Sequence, residues 1–258
     1  MRADRRTFLA AVPAVAVGLL SARTARAAFS SAPDVTVFAE PTLAPVIGAV
    51  GDMFRAKTGA PVHILTAPSP MLIKEIPFTL DDVMILQSGA VLDAAVARKA
   101  ASPDGHVALG QNHLVVARRG AGPVQPLAAL PIDGPVAIVD EPMPDGLGAA
   151  SHEVLRAQNW PPQATPGATR IIGVARGADA LYLLRTGAAA LAVVWRTDVA
   201  ADPTLSIAAT LPDPAVPVTC AAAPSASVSS RFAAPFLEFL KTPEAVARLR
   251  AGGLEIAT

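Results

Sequence analysis

The chain has 258 residues, 52% of them apolar, 16% charged and 4% aromatic, with 21 Lys and Arg against 21 Asp and Glu. This composition excludes a disordered chain or a nucleic-acid binder, and the length suits one large α/β domain or two smaller ones. The neutral total hides an asymmetry, because residues 1–27 hold five Arg and one Asp and leave 16 basic and 20 acidic side chains for the rest. That mildly acidic remainder argues against a phosphate-backbone partner or an anionic membrane surface.

Met1–Ala27 reads as a basic segment, an apolar run from Phe8 to Leu20 and a small-residue exit Ala25-Arg26-Ala27, the layout of an export signal cleaved after Ala27. The apolar run is shorter than the roughly 20 residues of a spanning helix. Asp4-Arg5-Arg6-Thr7-Phe8-Leu9 resembles the twin-arginine consensus, with a general secretory signal that happens to pair two Arg as the alternative. A periplasmic destination follows from either. Cys220 is the only cysteine, which excludes an intramolecular disulfide and a CxxC metal site and reads as a buried, inert thiol.

From Asp34 onward, short β-rich runs alternate with helical stretches, the pattern of a layered α/β protein. Val35–Ala39 is a strand, followed after Thr42 by apolar positions at helical spacing (Leu43, Val46, Ile47, Val50, Met53, Phe54) and a stop at Lys57-Thr58-Gly59. Next come a strand over Pro61–Thr66, a loop over Ala67–Pro70, a short helix over Met71–Ile76, a strand over Val83–Leu86, a helix over Ala90–Arg98 and a strand over Leu114–Ala117. A Pro/Gly-rich joint at Gly120–Pro126 precedes a second alternation: Val136–Val139, Ser151–Gln158, Ile171–Val174, Ala178–Arg185 and Ala190–Trp195. After Pro212–Pro217 come a strand at Val218–Ala222, a helix from Ser229 and a last helix with Thr242 as N-cap and Pro243 in its first turn. The expected architecture is two α/β lobes, residues 34–112 plus 218–258 as the first and 113–217 as the second, joined where the chain crosses.

Catalytic signatures are missing: no G-x-S-x-G, H-E-x-x-H or P-loop occurs, and Gly146-Leu147-Gly148 lacks the third Gly of a dinucleotide fingerprint. The four His (63, 106, 113, 152) have no ligand spacing, so neither an enzyme, a metal site nor a cofactor is expected. What remains are polar loops at strand carboxyl ends that lead into helix starts, where open α/β sheets bind ligands. These are Glu40-Pro41-Thr42, Ala67–Pro70 and Gly173–Ala178. Backbone N–H groups and hydroxyls at such loops bind anions, while Thr42 and Ser69 could equally cap their own helices.

The order of elements resembles the periplasmic molybdate-binding proteins of ABC importers, within the type II solute-binding fold. Val35–Leu43 is similar to that family's opening strand and loop, Phe54-Arg55-Ala56-Lys57-Thr58-Gly59 to its helix-closing motif, and Leu80–Leu86, with Asp82, to its Ala-Asp-hydrophobic strand. Ala190–Asp198 resembles its Gly-Ile-Val-Tyr-x-Ser-Asp segment, and Phe239–Ala245 with Gly253-Leu254 its closing helix pair. The resemblance implies two lobes, each a mixed sheet flanked by helices, with a ligand cleft between them. It implies a monomeric receptor that captures a small oxyanion or other polar ligand and delivers it to ABC permease subunits, with no nucleic-acid partner. An accessory protein that keeps the fold as an interaction surface is the alternative. The implied ligand-binding residues are Thr42 and Ser69 through hydroxyls, Leu147, Gly148 and Gly177 through backbone N–H groups, and Trp195 in place of a Tyr. Glu40 departs from the family, standing where a small residue is usual, and Arg176 is the candidate to neutralise it. Molybdate, tungstate or a different small polar ligand fits this reading.

Overall fold

The computed structural model describes residues 34–69, 71, 82–140, 146–161 and 170–256. The expected export signal at Met1–Ala27, and all of the short helix expected at Met71–Ile76 but its first residue, fall outside that set. Ten strands are present among the described residues: β1 Val35–Ala39, β2 Val62–Thr66, β3 Val83–Gln87, β4 Val107–Gln111, β5 Leu114–Arg119, β6 Val136–Val139, β7 Ile171–Val174, β8 Leu191–Trp195, β9 Leu205–Thr210 and β10 Thr219–Pro224. The helices are α1 Ala44–Thr58, α2 Gly89–Ala97, α3 Leu147–Ala157, α4 Gly177–Thr186, α5 Arg196–Ala200, α6 Ala233–Leu240 and α7 Pro243–Ala251.

The strands form two five-stranded sheets in the orders β2-β1-β3-β10-β4 and β7-β6-β8-β5-β9. Both follow one plan. Three parallel strands (β2, β1, β3, or β7, β6, β8) are followed by one strand running the other way (β10, or β5), which pairs antiparallel on its far side with the last strand (β4, or β9). The halves thus share an architecture of which the sequence shows only weak similarity. The central strands β3, β6 and β8 are buried along their whole length, as continuous apolar runs covered on both faces must be.

Helix α1 starts with Pro45 in its first turn and ends on Gly59 in the left-handed conformation (φ 77°), where a residue without Cβ is unstrained. Its buried face (Val46, Ile47, Val50, Phe54) packs on the first sheet and meets α6 and α7. Phe54 sits among Phe232, Phe236 and Phe239, with ring centroids 6.4, 5.3 and 5.5 Å away. Asp82 ties the C-terminal return to this lobe by accepting from Ser229 N at 2.8 Å, Ser230 N at 2.7 Å and Thr36 N at 2.9 Å. Helix α7 is N-capped by Thr242, whose hydroxyl accepts from Ala245 N. Gly110 (φ 122°) lets the tail cross β4, since a Cβ there would stand 2.4 Å from the Glu255 carbonyl oxygen.

The chain passes from one sheet to the other at Asn112–His113, between β4 and β5, and returns through residues 211–218, between β9 and β10. Strands β4 and β9 and the five-residue α5 are absent from the sequence reading. Helix α3 begins four residues before the expected Ser151, which places Leu147 and Gly148 in its first turn. No helix among the described residues is long and apolar enough to cross a membrane.

Candidate functional site

The carboxyl ends of β1 and β3 in one sheet, and the starts of α3, α4 and α5 beside the other, face each other across a cavity of about 520 Å³. On the first side it is lined by Glu40, Pro41, Thr42, Ser69 and Gln87, and on the second by Leu147, Arg176, Gly177, Arg185, Trp195 and Asp198. Seven of the eight residues singled out from the sequence therefore lie on one wall or the other. Gly148 is the exception, buried inside the first turn of α3 behind Leu147.

Local folding explains each placement. Glu40 follows β1 directly, and its carbonyl accepts from Leu43 N and Ala44 N to start α1. The N-cap position of α1 is Leu43, with no side-chain cap, so Thr42 does not cap its own helix. Its hydroxyl instead reaches the opposite lobe, donating to Asp198 Oδ1 at 2.7 Å and contacting Thr197 Oγ1 at 2.7 Å. A hydroxyl has one hydrogen, so with that of Thr42 on Asp198, Thr197 is the donor in the second contact. Ser69 is also turned toward a neighbour and not toward a helix end, since both its N–H and its hydroxyl donate to Glu40 Oε2. Ser69 Oγ in turn accepts from Gln87 N at 3.0 Å.

These pairs belong to one chain of buried polar groups. Asn112 Nδ2 donates to Gln87 Oε1 at 3.0 Å and to Thr197 Oγ1 at 2.9 Å, which links the Ser69–Gln87 end to the Thr42–Asp198 end. The chain runs from Glu40 to Asp198 through Asn112, the residue at which the backbone leaves the first sheet. Gln87, Asn112, Thr197 and Asp198 were not singled out from the sequence, because isolated amides, hydroxyls and acids at unrelated spacings give no periodic or motif signal. The one hint was the placement of Thr197 and Asp198 in the segment that resembles the family's Ser-Asp.

Burial pushes the Asp198 carboxyl up to about 6, against the opposing pull of the Thr42 hydroxyl, the Trp195 N–H and the charge of Arg185. The Cys220 thiol is also raised, by burial first and by the charge of Glu40 second, so it stays protonated and unreactive. Arg176 does not reach across the cleft in the way its suggested role requires. Its guanidinium forks onto Asp179 of its own helix, Nε to Oδ2 at 3.2 Å and Nη2 to Oδ1 at 3.1 Å. Arg185 likewise donates to Asp202 at 2.6 Å. The starts of α3 and α4 carry no side-chain cap, and a Cβ on Gly177 would come within 3.1 Å of Leu147 Cδ2, so the two helix starts approach each other at the cavity wall. No cluster of three metal-ligating side chains occurs among the described residues.

The hydroxyl of Thr42 can be tested directly. Thr42→Val keeps the shape but leaves Asp198 without its hydroxyl donor, and a buried acceptor so deprived costs about 1–3 kcal/mol. Urea denaturation at pH 7.5 should show that loss, and an unchanged midpoint would mean that the bond contributes nothing.

Residues 35–255 match the family of bacterial extracellular solute-binding proteins. The chain belongs to this family. Among solved structures, the periplasmic molybdate-binding protein of Azotobacter vinelandii shares 20% identity, with a TM-score of 0.70 over 87% of this chain and all of that one. Peb3 from Campylobacter jejuni gives 15% identity and a TM-score of 0.63 over 87% of this chain and all of its own. The sulfate-binding protein of Mycobacterium tuberculosis gives 15% and 0.60 over 86% of each chain. A search of curated protein sequences gives no match. These likenesses establish the two-lobed fold of a solute-binding protein, with two mixed sheets flanked by helices, in a family of binding proteins.

Proposed function

We propose that this solute-binding protein is exported to the periplasm, captures a small polar solute bearing an anionic group between its lobes, and presents it to the permease of an ABC importer. One observation carries the reading: seven of the eight residues marked from sequence as ligand contacts, far apart along the chain, line a single cavity to which both lobes contribute. Interlobe clefts are the usual ligand sites of such folds, and the two chain crossings at residues 112–113 and 211–218 would serve as the hinge for a rigid-body closure. The relatives are named for molybdate and for sulfate, and one Peb3 structure for bound L-phospholactate. All three ligands are anions, which fits a site where Arg176 and the uncapped starts of α3 and α4 supply N–H donors. The segment before Ala27 would direct export, by the twin-arginine or the general route. The binding residues in this reading are Glu40, Thr42, Ser69, Leu147, Arg176, Gly177 and Trp195.

Thermal denaturation of the purified chain against a panel of oxyanions, organic phosphates and amino acids tests the proposal. A true ligand at 100 times its Kd should add roughly 2.7 kcal/mol of stability. Because Arg176 is exposed and paired only within its own helix, Arg176→Ala should leave the free protein's melting unchanged. It should weaken the ligand about 10- to 100-fold, the value of a hydrogen bond to a charged group. A ligand whose affinity ignores Arg176→Ala and Ser69→Ala alike would place the site elsewhere.

A further inference from the structure

Where the chain crosses between the lobes, a further segment lies across the junction. Residues 252–256 follow α7 and belong to the first lobe, with Leu254 buried in its core. Their backbone pairs with the end of β4: the Gln111 N–H donates to the Glu255 carbonyl at 2.7 Å, and the Glu255 N–H to the Gln111 carbonyl at 2.9 Å. Two residues before Glu255 the same segment presses on the second lobe. A Cβ on Gly253 (φ 99°) would stand 3.0 Å from the Arg196 carbonyl oxygen and 3.1 Å from Thr197 Cα, an approach of backbone to backbone that calls for glycine.

Helix α5 begins at that contact and is held at three places. Gly253 backs its first turn, the Thr42 hydroxyl bonds to Thr197 and Asp198, and the Arg196 N–H donates to the His113 carbonyl at 2.8 Å. Side chains close the same junction. The His113 ring, 13% exposed, has Nδ1 2.7 Å from Asp213 Oδ1 and Nε2 3.1 Å from Glu255 Oε2. Asp213 lies in the second crossing and Glu255 in the segment after α7, so one ring spans three stretches of chain. Both carboxylates are exposed and such pairs are individually weak, so the ring adds to a hold that the backbone contacts supply.

We propose that residues 253–255 are a strap between the lobes, beside the two crossings, which seats α5 and so fixes the angle at which the lobes meet. The crossings run next to each other, with the Asn112 N–H donating to the Val218 carbonyl at 2.9 Å, and two adjacent stretches of chain define an axis about which a lobe can swing. A support off that axis restricts the swing. Because Asp198 lies in the turn that the strap seats and also lines the cavity, the strap sets where that wall stands. This inference rests on the crossings acting as the hinge of the binding protein proposed above.

Double electron–electron resonance on the purified chain, with no ligand added, tests it. Spin labels go on Asp52→Cys in α1 and Tyr182→Cys in α4, exposed positions in opposite lobes, while Cys220 is buried and stays unlabelled. Gly253→Ala should lift the segment off α5 and shift or spread the interlobe distance by roughly 2 Å, the scale of helix displacements at packed interfaces. Gly59→Ala is the control. Gly59 is also left-handed (φ 77°), but a Cβ there meets nothing within 4 Å, so this variant carries the same kind of backbone strain and should keep the wild-type distance. Asp213→Asn combined with Glu255→Gln removes both charges from the His113 ring at exposed positions and preserves shape, so it folds even where Gly253→Ala does not. It should spread the distance in the same sense by a smaller amount. If neither Gly253→Ala nor the double variant moves the distribution, or if Gly59→Ala moves it as far as Gly253→Ala does, the strap is overturned. Should Gly253→Ala fail to fold, an unmoved double variant overturns it by itself. None of these outcomes touches the solute-binding reading, which stands or falls on the thermal panel.

Discussion

Phe54→Ala should remove about 3–5 kcal/mol of stability, the range for deleting a buried phenylalanine ring. The ring is 1% exposed and meets three aromatic partners, Phe236 and Phe232 edge-on at 76° and 80° and Phe239 tilted at 58°. Phe54 comes from the first helix and its partners from the chain's last thirty residues, so this cluster is where the C-terminal return is fastened to the first lobe. The lost ring therefore costs more than its own transfer free energy, since a cavity opens between α1 and α6 that the surrounding structure refills only in part. Urea unfolding followed by far-UV circular dichroism measures the loss. Phe54→Leu, which refills most of the volume, should recover more than half of it. A deficit below about 1 kcal/mol in Phe54→Ala would mean that α6 and α7 are held chiefly by other contacts.

The second large effect concerns Asp198 and has a definite sign. Its carboxyl titrates near 3.8 in an unfolded chain and at about 6 in the native protein. The native state thus holds the proton more tightly, and stability falls as pH rises from about 4 through about 6. The difference amounts to roughly 2–3 kcal/mol, present in full below pH 4 and lost above pH 6. Asp198→Asn reproduces the neutral acid: its amide oxygen can accept from Trp195 N and its NH₂ can donate to Thr42. The variant should therefore be more stable than wild type by up to about 2–3 kcal/mol at pH 7.5, equal to it at pH 4, and free of the slope between. An unchanged slope in Asp198→Asn would assign the pH dependence to another group. Because Asp198 sits on the cavity wall, the same change measures how much stability the site gives up for having an acid there.

The parts of this structure that could be read from sequence are those set by local pattern. The helical spacing from Leu43 to Phe54, the stop at Gly59, the apolar runs of β3, β6 and β8, and the Thr242-Pro243 start of α7 all announce themselves within a dozen residues. What escaped were elements with weak patterns. Strand β4 (Val-Ala-Leu-Gly-Gln) and strand β9 (Leu-Ser-Ile-Ala-Ala-Thr) carry a Gly or small polar residues where a strand signal needs bulk. Helix α5, at five residues, is shorter than two turns and shows no period. Helix α3 opens on Leu147-Gly148-Ala149-Ala150 without a capping side chain, so its start looked later than it is.

The candidate site divides along the same line. Thr42, Ser69, Gly177 and Trp195 could be named because they end strands or open helices and because the neighbouring segments resemble a known family. What those groups do was not legible. Thr42 and Ser69 look like free donors in sequence, yet each hydrogen is taken by a carboxylate, one 29 residues away and the other 156 residues away. Asn112 gained meaning only when the sheets put Gln87 and Thr197 within reach of its two N–H bonds. A buried polar network of this kind depends on topology, and no window of sequence contains it.

The topology has a further consequence, for the order in which the molecule can be made. The second sheet uses one unbroken stretch, from Leu114 to Thr210, and can assemble as soon as that stretch exists. The first sheet cannot. Strand β10 lies between β3 and β4, so until the last forty residues arrive β4 has no neighbour in its sheet and the wholly apolar edge of Val83–Leu86 stays open. An open, apolar strand edge is a template for pairing with another chain. A nascent or truncated chain that stops short of Thr219 would hold a finished lobe beside an adhesive one, and a holding chaperone at that edge would meet its need until the C-terminus closes it.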